Sequence, residues 1–186
     1  SQFGAPAKVA ITEDNNKIRV KMLSYDNNGT LTEVISNTLK SNVANYLSNY
    51  RMINDYISVE SANVIDLALN IDVVLDNSQN QGAVISQLIN IVSTFFDPGT
   101  RNMGENVYIS DLRRLVQDEN GVISVSDIAV FNRVGGQYSS SQTSQSYSDN
   151  TTKQIQLVDD TIFAQPTQIY QVRFPTKDIT IRVKNL

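Results

Sequence analysis

The chain has 186 residues with 15 basic and 19 acidic side chains, and its formal net charge is −4. A hydrophobic fraction of 40% is enough to build a core and exceeds that of a disordered chain. Cysteine, histidine and tryptophan are absent. Their absence excludes disulfides, zinc-finger and iron–sulfur sites, and the Ser-His-Asp and Cys-His catalytic groups.

The charge distribution argues against two classes of partner. Residues 61–134 carry nine acidic and four basic side chains, and no stretch has the dense basic pattern that a phosphate backbone requires. No apolar run approaches the roughly 18 residues that span a bilayer. We therefore expect neither nucleic-acid binding nor a membrane partner.

The first third predicts a hairpin followed by a helix. Segments 7–11 and 17–23 are β-rich and are joined by a short polar loop. Residues Thr30–Glu33 match a capping box, and apolar residues recur every four positions beyond it. These patterns predict a helix over 31–50, then a strand over 56–60, and together a hairpin-plus-helix subdomain over 1–62.

From Asn63 the middle segment alternates over a long stretch, with apolar residues on one face and mostly polar residues on the other, which predicts a strand covered on one side only. Its polar face carries Asp66, Asn70, Asp72 and Asp76. Asp66 and Asp72 lie about 20 Å apart on an extended strand, too far to share one ion. We expect a solvated or interfacial face and no metal site.

The rest of the middle segment predicts an amphipathic helix over 83–96, a short helix with Ser110 as its N-cap, and a strand-rich stretch over 122–134. Residues 63–134 therefore form a predicted central α+β module of ferredoxin-like strand–helix–strand character. The predicted fold class of the whole chain is α+β.

The final third divides into two predicted parts. Residues 135–152 are rich in Ser and Gln with few apolar residues, which is typical of a flexible loop. Residues 153–186 alternate as short β segments and predict a C-terminal β arm. A small sheet must cover its apolar face, either within the chain or on another molecule. We name Phe163, Tyr170 and Phe174 as candidate interface residues.

No motif in the sequence points to catalysis. The glycine-rich patterns that cradle phosphates are missing, and we predict no catalytic residue, no cofactor, no metal ligand and no small-molecule substrate. Two alternatives stay open. One is a ligand-sensing α+β regulatory module of a cytosolic protein, and the other is a hydrolase that works with a pair of carboxylates.

Several consecutive motifs of the middle segment resemble one known family. They are the strand Val64–Ile71, the helix over 83–96, the run Gly104–Leu112 and the Asn120-Gly121-Val122 turn. In this order they are similar to the baseplate J-type wedge protein of contractile-tailed bacteriophages. The closing run Gln171–Ile179 also looks like the end of the wedge protein of large myophages.

The resemblance implies a structural role and brings no catalytic motif. Such wedge proteins associate with further copies of themselves and with other baseplate wedge and hub proteins, and they form the ring around the tail hub. The implied location is the virion tail baseplate, assembled in the host cytoplasm. Because family members are longer than 186 residues, the chain is expected to be a C-terminal portion.

Overall fold

The computed structural model describes residues 6–14, 17–50, 56–148 and 153–184. The fold is mixed α+β, which confirms the predicted class. The helices are α1 (Asn37–Ser48), α2 (Gln81–Phe95), α3 (Ile109–Gln117) and α4 (Pro175–Asp178). The strands are β1 (Lys8–Asp14), β2 (Lys17–Tyr25), β3 (Leu31–Thr32), β4 (Tyr56–Ser61), β5 (Asn63–Leu75), β6 (Val107–Tyr108), β7 (Val122–Arg133), β8 (Ser146–Ser148), β9 (Lys153–Ile155), β10 (Thr161–Ile162), β11 (Gln168–Gln171) and β12 (Ile179–Val183).

The chain forms two compact units, each built from separate segments. The first unit comprises Ser1–Val64, Asn102–Glu105 and Ala164–Ile169. The second unit comprises Ile65–Arg101, Asn106–Phe163 and Tyr170–Leu186. The four segments predicted from the sequence, with boundaries at 62, 134 and 152, stay a prediction.

The first unit is a small sheet with one helix on it. β1 runs antiparallel to β2, which confirms the predicted hairpin, and β4 runs parallel to β2 on its other side. β3 pairs with the end of β2. α1 packs on one face of this sheet, because apolar side chains recur with the helix period on α1 and at alternate positions on the strands. The cluster consists of Val20, Met22, Ile35 and Leu39, with Ile18, Val43, Leu47, Ile57 and Val59 packed against it.

The predicted start of α1, at residue 31, was six residues too early. The helix begins at Asn37, and its N-cap is Ser36, whose Oγ accepts a hydrogen bond from the Leu39 amide at 3.2 Å. The apparent periodicity from Leu31 onward therefore crosses a short strand before the helix begins.

The predicted capping box fails because both of its side chains bind elsewhere. The hydroxyl of Thr30 donates to a carboxylate oxygen of Asp26 at 2.6 Å. The carboxylate of Glu33 accepts a hydrogen bond from the Val64 amide at 2.8 Å. Long-range bonding thus uses the groups that a local cap would need.

The second unit is built on a sheet with β5 at its centre. β5 runs antiparallel to β7 and parallel to β12, and the strand order is β11-β5-β7-β9-β8. α3 packs against β7, and α2 packs against α3, α4 and β12. β6 and β10 form a separate two-stranded pair.

β5 is buried on both faces, so the prediction of a strand covered on one side only was wrong. Its apolar positions are inaccessible, and on the other face Asp66, Ala68 and Asp72 are also buried. Alternation of residue type reports polarity and not burial, and here Asp66 and Asp72 are buried because hydrogen bonds and ion pairs satisfy their carboxylate oxygens.

The positions of α2 and α3 agree with the sequence prediction, but the N-cap of α3 differs from the predicted one. The side chain of Asn80 caps α2 by accepting from the Ala83 amide. α3 begins at Ile109, directly after β6, and its N-cap position is Tyr108, which makes no side-chain capping bond. Ser110 therefore lies inside the first turn, and its prediction as the N-cap was wrong.

Replacing the observed cap of α1 tests where that helix begins. Ser36→Ala removes the acceptor for the Leu39 amide, so we expect the free energy of unfolding to fall by about 1 kcal/mol in chemical denaturation. The control is Ser41→Ala on the exposed side of the same helix. It should leave stability within about 0.5 kcal/mol or raise it. Equal effects of the two variants would contradict the assigned cap.

Candidate interaction surfaces

A buried carboxylate lies at the centre of the second unit. The side chain of Asp66 in β5 has no exposed surface. One carboxylate oxygen accepts from the Ser139 amide at 2.6 Å, and the other accepts from the side-chain amide of Gln171 at 2.8 Å. Burial raises the pKa of Asp66, and the two hydrogen bonds oppose that rise. The expectation of a solvated or interfacial Asp66 was therefore wrong.

A second buried carboxylate is that of Asp178, the last residue of α4. It binds the segment after β7 that also contains Ser139. Tyr138 donates its hydroxyl to one oxygen at 2.7 Å, and the Phe174 amide donates to the other at 3.0 Å. The Arg133 guanidinium lies 3.9 Å away. Burial, together with the hydrogen bond to this carboxylate, raises the pKa of Tyr138 to about 12. The phenol therefore stays protonated and remains a donor at neutral pH.

A buried amide extends this network along the segment after β7. The side chain of Asn132 donates to the Asp66 carbonyl at 3.4 Å and accepts from the Thr143 amide at 3.1 Å. Residues 135–148, the described part of the stretch predicted to be flexible, are thus hydrogen-bonded to β5, β7 and α4. The flexibility of 135–152 stays a prediction.

Asp72 on the same strand is paired with cations. Arg182 stands directly opposite it on β12, and its Nε lies 2.7 Å from one carboxylate oxygen. The Lys184 ammonium lies 3.3 Å from the other oxygen. Among the described residues, no group of three or more His, Cys, Asp or Glu side chains could hold a metal ion.

The three predicted interface residues have three different environments. Tyr170 is buried, with 1% of its surface exposed, and burial raises its pKa. Phe163 has 49% of its surface exposed. Phe174 is partly buried, and its ring meets that of Tyr138 edge to face at a centroid distance of 5.6 Å. Their role in an interface stays a prediction.

The backbone of Phe163 is fixed from both sides. The Tyr170 hydroxyl donates to the Phe163 carbonyl at 2.8 Å, and the Phe163 amide donates to the Gln145 side-chain oxygen at 2.6 Å. The nitrogen of the same Gln145 amide donates to the carbonyls of Gln156 and Thr161. Phe163 is therefore a half-exposed aromatic residue on a held backbone, and ordering it costs little further entropy on binding.

The first unit carries an apolar groove that sequence reasoning missed. It has a volume of about 430 Å³ and runs between β1 and α1 over the sheet face. On β1, Val9 and Ile11 line it and remain largely exposed, Ile11 by 70%. The alternation of apolar residues at 9 and 11 was a visible signal. The sequence did not indicate that α1 leaves this part of the sheet uncovered.

Two further clefts lie in the second unit. One, of about 380 Å³, includes Tyr138 and Asp178, whose polar atoms already bond to each other. The other, of about 420 Å³, lies between residues 127–130 of β7 and residues 154–157. In the described part of the chain, no helix has the length and apolar character of a membrane span.

Comparison with known proteins gives a likeness of fold. No protein-family profile matches the chain, and no curated protein matches it. A solved structure that it resembles is a chain of the anti-feeding prophage (AFP) baseplate, determined by cryo-electron microscopy with 6-fold symmetry. The TM-score is 0.55 at 13% sequence identity. The match covers 90% of this chain and 33% of that chain, so this chain spans about a third of its length.

The raised pKa of Asp66 predicts a pH dependence of stability. Since the folded state binds this proton more tightly than the unfolded state, the contribution of Asp66 to stability decreases as pH rises from about 3.8 through the folded pKa. Asp66→Asn should abolish this component in thermal melts across that range. Asp76→Asn is the control, because the Ser78 amide lowers the pKa of Asp76, so its contribution is lost as pH falls. Identical pH profiles of wild type and Asp66→Asn would contradict the assignment.

The Tyr138–Asp178 hydrogen bond gives a second prediction. Tyr138→Phe removes one donor from a buried carboxylate, so we expect a loss of about 2 kcal/mol in the free energy of unfolding at pH 7. Tyr108→Phe, at a half-exposed tyrosine of the same unit, should change it by less than about 0.5 kcal/mol. The bond is not a stabilising contact if both variants unfold at the wild-type denaturant concentration.

Proposed function

We propose that the chain is a structural component of a contractile-tail baseplate wedge, which associates with copies of itself and docks other baseplate wedge and hub proteins. The observation that carries the proposal is the fold likeness to a chain of a prophage baseplate over 90% of this chain. The order of motifs in the sequence supports the same assignment independently. The proposed role is assembly and not catalysis.

Phe163 is our proposed contact residue for docking in the second unit. Aromatic residues, Phe included, are enriched at protein interfaces, and a pre-ordered backbone lowers the entropic cost of binding. Phe163 combines 49% exposure with a backbone bonded on both sides. Tyr170 supports it from within the unit by its hydroxyl. Phe174 has less exposed surface, and its ring packs edge to face against the ring of Tyr138.

The assembly role predicts where the protein is found. In purified particles from the organism that encodes it, an antibody against this chain should label the tail baseplate, and mass spectrometry should detect the chain in isolated baseplates. Co-expression with the tail proteins of the same genome should yield a complex of fixed stoichiometry. A chain that is missing from baseplates and binds none of those proteins would contradict the proposal.

The docking residue is tested by a matched pair of substitutions. Phe163→Ser should raise the dissociation constant of such a complex at least tenfold, which corresponds to about 1.4 kcal/mol, without changing the melting temperature of the free chain. Val158→Ser, at an equally exposed apolar residue of the same unit, should leave binding unchanged. If titration calorimetry gives equal affinities for the two variants, Phe163 is not a contact residue of the interface.

A further inference from the structure

Among the described residues, the first strand, β1, lies at the edge of its sheet. β1 pairs with β2 on one side, and none of the other described residues pairs with its second edge. Soluble proteins block such edges with proline, bulges or central charges. β1 has a continuous register with β2 and contains no proline. Its four central residues, Val9 to Thr12, carry no charge. The edge is therefore suited to accept another strand.

The charges of β1 complement each other when the strand meets a reversed copy of itself. The cation Lys8 stands at its start, and the acidic residues Glu13 and Asp14 stand at its end. An antiparallel pair brings the basic end of one strand to the acidic end of the other. A parallel pair would bring like charges together at both ends. A second copy of this chain thus fits the edge better in the antiparallel direction.

A single register pairs all seven residues. A two-fold axis perpendicular to the sheet keeps each residue on its own face, so directly opposite residues must be an even number of positions apart. Full overlap of Lys8–Asp14 then places Lys8 opposite Asp14 and Ile11 opposite its own counterpart. Ile11, which lines the apolar groove and is 70% exposed, becomes covered at the axis.

We infer that two copies of this chain associate by antiparallel pairing of their β1 edges, with Ile11 facing Ile11 at the two-fold axis. The partner is a second copy, and the pairing joins the two sheets of the first units into one. The inference rests on the self-association in the proposed function and adds the surface and the register.

The absence of cysteine in the chain allows the register to be measured by single thiols. Directly opposite residues of antiparallel strands have Cα atoms about 4.5–5.5 Å apart, which matches disulfide geometry. Ile11→Cys should therefore form a disulfide-linked dimer under mild oxidation. Val9→Cys should not, because the two copies of residue 9 lie about 14 Å apart along the strands. A mixture of Val9→Cys with Glu13→Cys should give a crosslinked one-to-one dimer.

Association itself is measured by sedimentation equilibrium of the full chain. Ile11→Lys should raise the dimer dissociation constant at least tenfold, because it places two ammonium groups at the axis. The control Val34→Lys alters a residue of the same unit that is 79% exposed and lies outside β1, and it should leave the constant unchanged.

The outcomes separate this inference from the proposed function. A chain that dimerises without an Ile11→Cys crosslink, or that crosslinks equally through Val34→Cys, overturns edge pairing and leaves self-association standing. A chain that is monomeric at high micromolar concentration overturns both edge pairing and self-association, while docking to other baseplate proteins remains testable on its own.

Discussion

The second unit depends on keeping the buried carboxylate of Asp66 hydrogen-bonded. An ionised carboxylate inside a protein is costly unless its oxygens are bonded, and the two partners of Asp66, the Ser139 amide and the Gln171 side chain, are distant in sequence. The central strand, the polar segment after β7 and the end of β11 must therefore come together. The bond from Tyr138 to Asp178 holds the same segment at a second point. Tertiary hydrogen bonds, more than apolar burial, position this polar stretch.

Elsewhere in this unit, glutamine side-chain amides form the backbone hydrogen bonds that a neighbouring strand would otherwise form. Part of the polar composition of the chain therefore has a structural role. The Gln117 side chain donates to the Ile123 carbonyl and accepts from the Val125 amide, as a neighbouring strand would. Gln145 binds three backbone groups in the same manner and thereby holds Phe163. An amide that bonds the backbone at both ends closes a sheet edge without adding a strand. A docking residue held in this way needs little reordering when a partner binds.

The sequence was sufficient where structure follows from local periodicity. The hairpin, β5, α2 and β7 follow from alternation or helical spacing, and the structure has them in those places. Local periodicity could not predict the start of α1 or the burial of both faces of β5, because each depends on a partner that is distant in sequence. Glu33 binds the Val64 amide instead of capping a helix, and Asp66 is buried by groups that follow it by more than 70 positions. Residue type alone did not distinguish the exposed Phe163 from the buried Tyr170, and the groove beside β1 depends on where α1 lies on the sheet.

The buried polar network holds residues 135–148, the segment after β7, in place. The most direct test of this is amide hydrogen exchange of the wild-type chain, resolved by residue with NMR. The Ser139 and Thr143 amides donate to Asp66 and Asn132. We expect them to be protected by at least a hundredfold relative to an unstructured peptide, which corresponds to about 2.7 kcal/mol of opening free energy. Exchange of both amides at the unprotected rate, while β5 remains protected, would contradict the account.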